Sequence, residues 1–224
     1  MPTQSSYDGY DLEPAYKLAR EQLAEIEDIE QLCLESGARY LVTDSQKEIA
    51  IEYLNQLYRI TMPNVEVSLA NSKEEVPTIR DRVLILHHLL SAKGTPITNK
   101  LIAFKELPGG DSYSRTFSKR AIEPLVEHFG EQPHVLINIA GKLGARTVAY
   151  GDVAVTVNAF NRVPITIVLW RGDEEFPAQG DILFDAAISD YLSTYDVAVL
   201  CESIIWKLVK FSREGSASAS KEEG

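Results

Sequence analysis

The chain predicts an α+β protein: one compact domain in which helices pack over an antiparallel or mixed sheet. Three observations lead there. Helical and extended segments come in clusters without strict alternation, which disfavours a doubly wound parallel sheet. Extended runs between residues 147 and 170 are joined by tight-turn signals such as Gly151-Asp152, as antiparallel hairpins are. The length of 224 residues, at 45% hydrophobic and 25% charged content, is enough for one core that buries roughly 70% of the unfolded surface. No Pro/Gly/Ser-rich linker divides the middle, so a single domain over 12–211 is expected. The small and polar segments 1–11 and 212–224 do not repay the entropy of ordering and are expected to be disordered.

The elements follow in order. Pro14 suits the first turn of a helix reaching about Ser36, and Gly37 suits its stop. Extended runs follow at Arg39–Thr43, Glu48–Tyr53 and Leu57–Thr61, with Asp44-Ser45-Gln46 as a hairpin turn. Ile49, Ile51 and Tyr53 alternate with polar or small partners, as on a half-buried strand. A helix opens at Pro77 and continues to Lys93, stopped by Gly94. Leu101–Leu107 reads as extended, and Pro108-Gly109-Gly110-Asp111 is a strong turn. Helices are expected over Phe117–Phe129 and Pro133–Leu143, then strands over Thr147–Tyr150, Val153–Phe160 and Pro164–Trp170. Two helices, Phe184–Ser193 and Asp196–Phe211, complete the chain.

Charge and composition narrow the function. There are 22 basic and 33 acidic residues, a formal charge of −11. Nucleic-acid affinity rests on neutralising phosphates with Lys and Arg, so this balance disfavours it, and an anionic membrane surface is repelled likewise. Residues 1–10 lack the cationic start and apolar core of a signal peptide, and no apolar run approaches the ~18 residues that span a bilayer. The two cysteines cannot make a disulfide framework; Cys33 and Cys201 fall on apolar helical stripes and read as core. The expected location is cytoplasmic.

Three motifs concentrate chemistry. Between Arg171 and Asp196 stand seven acids: Asp173, Glu174, Glu175, Asp181, Asp185, Asp190 and Asp196. Gathered carboxylates could hold a hard cation, with Asp173 and Asp185 the metal candidates, or could divide acid and base roles. Capping is the competing account: Asp173 closing a turn, Asp181 or Asp185 opening the next helix, Asp196 opening the last. Second, Pro108–Arg115 leads into a helix, where two glycines, free N–H groups and Arg115 suit an anion. In the plainer account Ser112 or Ser114 simply caps that helix. Third, His87 and His88 are adjacent, so on a helix they cannot converge on one metal. His87, on the flank of the apolar face, reads as a hydrogen-bonded boundary residue. No Gly-x-Ser-x-Gly elbow is present.

The order of motifs resembles a known family. Leu84-Ile-Leu-His-His-Leu-Leu90 comes first, then Phe104-Lys-Glu-Leu-Pro-Gly-Gly110 with Tyr113. Trp170-Arg-Gly-Asp-Glu-Glu-Phe-Pro177 and Leu183-Phe-Asp185 with Tyr191-Leu192 follow. Together they are similar to an uncharacterised prokaryotic family, a domain of unknown function found in many anaerobic bacteria and archaea. Some members carry a ferredoxin-type iron–sulfur segment; this chain has no cysteine cluster. The resemblance spans roughly residues 12–210 and implies a fold, with no activity to carry over. Its link to anaerobic metabolism is the sole motive for reading His87 as an axial ligand to a tetrapyrrole.

The leading expectation is therefore an accessory or binding protein with a site for a small anionic ligand or cofactor between the two loop motifs. Gly109, Gly110, Tyr113 and Arg115 would face Trp170, Asp173, Glu174 and Phe176. One alternative is an enzyme using Glu174 and Asp185 as acid and base or as Mg²⁺ ligands. Another is a partner subunit whose acidic face docks an iron–sulfur or redox protein. No cofactor is identified by the sequence. The composite site requires Gly110 and Trp170 to lie on the same side of the molecule.

Overall fold

A computed structural model describes residues 11–43, 46–72 and 75–222. Residues 1–10 and the hairpin turn at 44–45 lie outside the described residues. The expected α+β class holds, built on two antiparallel sheets.

Two helices open the chain, α1 (Glu13–Ala24) and α2 (Ile29–Ser36), where one was expected. The apolar pattern runs on through Ile26, but the Asp28 side chain accepts from Gln31 N–H and starts a fresh helix. Gly37, at φ 74°, closes α2 as expected.

The first sheet is β1 (Arg39–Val42), β2 (Lys47–Tyr53), β3 (Gln56–Met62) and β4 (Glu66–Leu69), in that spatial order. Ile49, Ile51 and Tyr53 are buried, which is the alternation that predicts this strand. Thr78 then caps α3 (Ile79–Ser91) by accepting from Asp81 N–H.

The second sheet has the order β5-β9-β8-β7-β6, with every pair antiparallel. Its members are β5 (Leu101–Ala103), β6 (Arg146–Val148), β7 (Val153–Phe160), β8 (Val163–Trp170) and β9 (Gln179–Asp185). The apolar run before Trp170 is the central strand β8, buried on both faces over Ile165–Leu169. Two expectations fail here. Leu101–Leu107 is extended only to Ala103 and then turns as a 3₁₀ helix. Phe184–Ser193 is not a helix: Phe184 and Asp185 end β9, and only Ile188–Asp190 coils, as a 3₁₀ turn. Pairing of Leu183 with Thr166 and Phe184 with Ile165 outweighs any local helical preference.

Between β5 and β6 the chain is helical. Helix α4 (Gly110–Phe117) passes through a π-helical turn, Ser118–Ile122, into α5 (Glu123–Phe129); α6 (Pro133–Ala140) follows. The run thus starts seven residues before the expected Phe117. The chain ends in α7 (Thr194–Glu222), which continues past the expected Phe211 through the Ser/Ala-rich segment. From Val197 to Ile205 all positions of α7 are buried, so it is the central helix of the molecule.

The sheets meet where Leu54 N–H donates to the Ala159 carbonyl and Tyr53 packs on Phe160, ring centroids 4.9 Å apart. Cys33 and Cys201 are buried free thiols, as expected; burial pushes the Cys33 thiol up to about 11.

Candidate functional site: the seam along the last helix

Helix α7 carries two buried carboxylates, and each meets a cation or an imidazole from a neighbouring helix. The Glu202 side chain is wholly buried, although it stands in the apolar run Val197–Val209. Its Oε2 accepts from Nε of Arg120, at 2.9 Å, and from NH2 of the same guanidinium. Arg120 also donates to the Tyr113 hydroxyl at 2.9 Å. On the other side Arg80 NH1 stands 3.5 Å from Glu202 Oε1, an oxygen that has no hydrogen-bond partner. One turn and a half earlier, Asp196 Oδ1 lies 2.8 Å from His87 Nδ1, and Asp196 Oδ2 accepts from Ser193 Oγ. Further along, Lys207 Nζ donates to Asp81 Oδ2 at 3.0 Å, and the Tyr53 hydroxyl donates to Asp81 Oδ1 at 3.1 Å.

These pairs define the helix geometry. Arg80 with Glu202 and His87 with Asp196 run α3 antiparallel to α7. Tyr113 beside Tyr195 at 6.4 Å, Arg120 with Glu202, and His128 beside Trp206 at 5.9 Å run α4–α5 parallel to it. Three helices therefore line a seam with buried acids at its floor. The Arg80 and His87 side chains are 23% and 29% exposed, so both reach its open edge. With Nδ1 engaged by Asp196, the Nε2 of His87 is the ring nitrogen left at that edge.

The expected site residues divide between two places. The glycine turn sits at the head of the seam: Thr194 Oγ1 donates to the Pro108 carbonyl at 2.7 Å, and Tyr113 lies beside Tyr195. Arg115 is exposed there. Packing and conformation account for both glycines: a side chain on Gly110 would strike the Phe104 carbonyl oxygen at 2.0 Å, and Gly109, at φ 72°, is the cap of α4. Neither Ser112 nor Ser114 caps that helix; Ser114 Oγ donates to the Asp111 carbonyl instead.

The acidic turn lies at the far end of the same helical run. Ala178 packs against Gly130, just past the end of α5, whereas Gly110 begins α4. The run from Gly110 to Phe129 rises roughly 28 Å, and its side-by-side pairing with α7 keeps it extended. The two loop motifs are therefore not brought together. At this far corner Trp170 lies against Gly151, and Tyr150, Trp170 and Phe176 are exposed among Asp173, Glu174 and Glu175.

The carboxylates expected to hold a metal have other employment. Asp173 Oδ1 accepts from the N–H groups of Glu175 and Phe176, both at 2.8 Å, and these bonds hold its carboxyl below the usual range. Asp185 caps no helix. Its Oδ1 accepts from Thr98 N–H, Thr98 Oγ1 and Ala187 N–H, and its Oδ2 from Asn99 N–H at 2.7 Å. Burial pushes the Asp185 carboxyl up, and those donors outweigh it and hold the group low. Asp190 is likewise held low, by Lys93 and Thr95. Burial pushes Asp181 up; its Oδ1 accepts from Ile182 N–H, within a strand and not at a helix start. Asp196 is third in α7, and Ser193 caps that helix by accepting from Asp196 N–H. Among the described residues no three His, Cys, Asp or Glu side chains gather as a metal site.

Of the expected residues, Gly109, Gly110 and Tyr113 belong to the seam. Arg80, Glu202 and Arg120 were missed, and Asp196 was read only as one of the seven acids and a helix cap. Glu202 did leave a signal, the lone carboxylate in a largely apolar helical run.

Fold and seam define an α+β protein of two antiparallel sheets built round a helix with buried acids. More particularly, residues 28–206 match the family described as Domain of unknown function (DUF3786), and the chain belongs to that family. No curated protein and no solved structure matches the chain. No helix among the described residues is long and apolar enough to cross a membrane.

Proposed function

We propose that this protein binds a small molecule carrying an anionic group, and that the ligand seats on the seam against Arg80 and His87. One observation carries this reading. Two partly open polar side chains on a single face of α3, Arg80 and His87, are each held from behind by a buried carboxylate of α7. They stand two turns apart, roughly 10 Å along the helix. Two arginines converge on one glutamate, so the Glu202 cluster carries a local excess of positive charge, although Asp81 and Asp196 balance the seam as a whole. An anion at Arg80 would answer that excess, His87 would hydrogen-bond a second polar group, and Tyr113 and Tyr195 would offer ring faces.

The test is nuclear magnetic resonance with the ¹⁵N-labelled protein and benzoate as probe. Saturable shifts along α3 and the start of α7, lost in Arg80→Gln, support the reading. Shifts that are absent, or equal in Arg80→Gln, remove it.

A second reading, an enzyme using His87 as general base, rests on the His87–Asp196 bond, which orients Nε2 to accept a proton. It requires a turnover that His87→Gln abolishes while the fold is kept. The Trp170 corner supports docking of a redox or other basic partner, since exposed aromatic side chains there share a turn with Asp173, Glu174 and Glu175. Association insensitive to salt would count against that.

A further inference from the structure

We propose a second anion site, separate from the seam, that takes a phosphate group in the cleft between α1 and the β3–β4 turn. The cleft has a volume of about 300 Å³. Lys17, Arg20, Glu21 and Ala24 of α1 form one wall, and Pro63, Asn64 and Val65 form the other.

Arg20 is the group held ready for the ligand. Its NH2 donates to the Asn64 carbonyl at 2.6 Å, and its guanidinium lies 5.5 Å from the Tyr16 ring centroid. Its Nε is out of water and without a partner. The same tyrosine ring carries a second guanidinium, that of Arg82, at 4.6 Å, and the Arg82 Nε is also buried without a partner. Among the described residues no carboxylate makes an ion pair with either arginine, in a chain with 33 acids to 22 bases. The acid on the cleft wall, Glu21, faces Lys17 at 3.9 Å.

Two like charges on one ring repel, and their mutual repulsion falls when an anion joins them. A guanidinium already fixed by a carbonyl and a ring loses little freedom on binding, so the site is preorganised. Phosphate suits it better than a single carboxylate: a dianion with several acceptor oxygens can meet the remaining terminal N–H groups of Arg20 and the ammonium of Lys17 together. Ala24, Pro63 and Val65 leave an apolar wall for whatever the phosphate is attached to. Lys17 and Arg20 stand ahead of residues 28–206, the part of the chain that the family match covers.

The test titrates the ¹⁵N-labelled full chain with inorganic phosphate, and in a second arm with glycerol 3-phosphate, at ionic strength held constant with sodium chloride. The expected result is saturable movement of the Asn64 and Val65 amides. Affinity should fall at least tenfold in Arg20→Gln, at least threefold in Lys17→Gln, and stay within twofold of the parent in Arg80→Gln. That last variant separates this site from the seam, so either proposal can fail without the other. Tighter binding of glycerol 3-phosphate identifies a phosphomonoester as the ligand, and equal or weaker binding identifies free phosphate. Shifts that chloride alone reproduces, no shift at all, or unchanged affinity in both Arg20→Gln and Lys17→Gln overturn the proposal.

Discussion

The imidazole of His88 lies face to face with the ring of Phe160, centroids 3.9 Å apart and planes within 2°. Its Nε2–H donates to the Ser36 carbonyl at 3.0 Å, and no water reaches the side chain. Nδ1 is buried without a partner, so an added proton there would have nothing to pair with.

This contact makes stability depend on pH. Burial lowers the His88 pKa from 6.5 to about 4. Between those values the unfolded chain takes up a proton that the folded one refuses. The stabilisation is complete above pH 6.5 and is lost as the pH falls towards 4. Its full size is on the order of 3 kcal/mol. Urea unfolding of the parent and of His88→Phe, at about pH 7 and about pH 4.5, isolates the contribution from that of the carboxylates. The parent should lose about 2 kcal/mol more than the variant over that interval. Parallel losses would assign the effect elsewhere.

The Glu202–Arg120 pair gives a second expectation. Arg120→Ala removes both hydrogen bonds of the buried Glu202 carboxylate, leaving it only Arg80 at 3.5 Å, and should cost about 3 kcal/mol in denaturant unfolding. Replacing both residues by Met removes the stranded charge and should recover most of that loss. A single variant costing less than about 1 kcal/mol would mean that Arg80 alone suffices to hold Glu202.

Three glycines separate conformation from space. Gly110→Ala places a methyl 2.0 Å from the Phe104 oxygen and should cost about 2–3 kcal/mol. Gly109→Ala meets open space at φ 72° and should cost about 1 kcal/mol. Gly141→Ala meets nothing within 4 Å at φ −56° and should stabilise by about 0.5 kcal/mol. A Gly110→Ala variant as stable as Gly109→Ala would mean that the loop before α4 rearranges to admit the methyl.

Particular elements show how far the sequence could be read. Alternation at Ile49, Ile51 and Tyr53 and the stop at Gly37 both report local geometry, and both stand. Strands β6 and β7 do pair as a hairpin, but β6 ends at Val148 and the connection is longer than the tight Gly151-Asp152 turn expected. The break at Asp28 was hidden because Ile26 continues the apolar pattern across it. Phe184 was misread because a short apolar run beside an aspartate suits a helix start as well as a strand end. The capping account of the acidic turn was sound for Asp173 and wrong in detail for Asp185 and Asp196.

By itself the sequence determined the α+β class, the apolar central strand ending at Trp170 and the burial of both cysteines. Each of these depends on spacing within a few residues, where side-chain period and backbone preference act directly. Only the tertiary structure decided which charges meet. His87 finds Asp196 across 109 positions, and Arg120 finds Glu202 across 82. The same packing sends the glycine turn and the acidic turn to opposite ends of one helical run. Electrostatic pairing depends on distance in space and on exclusion of water, and a linear order of residues carries neither.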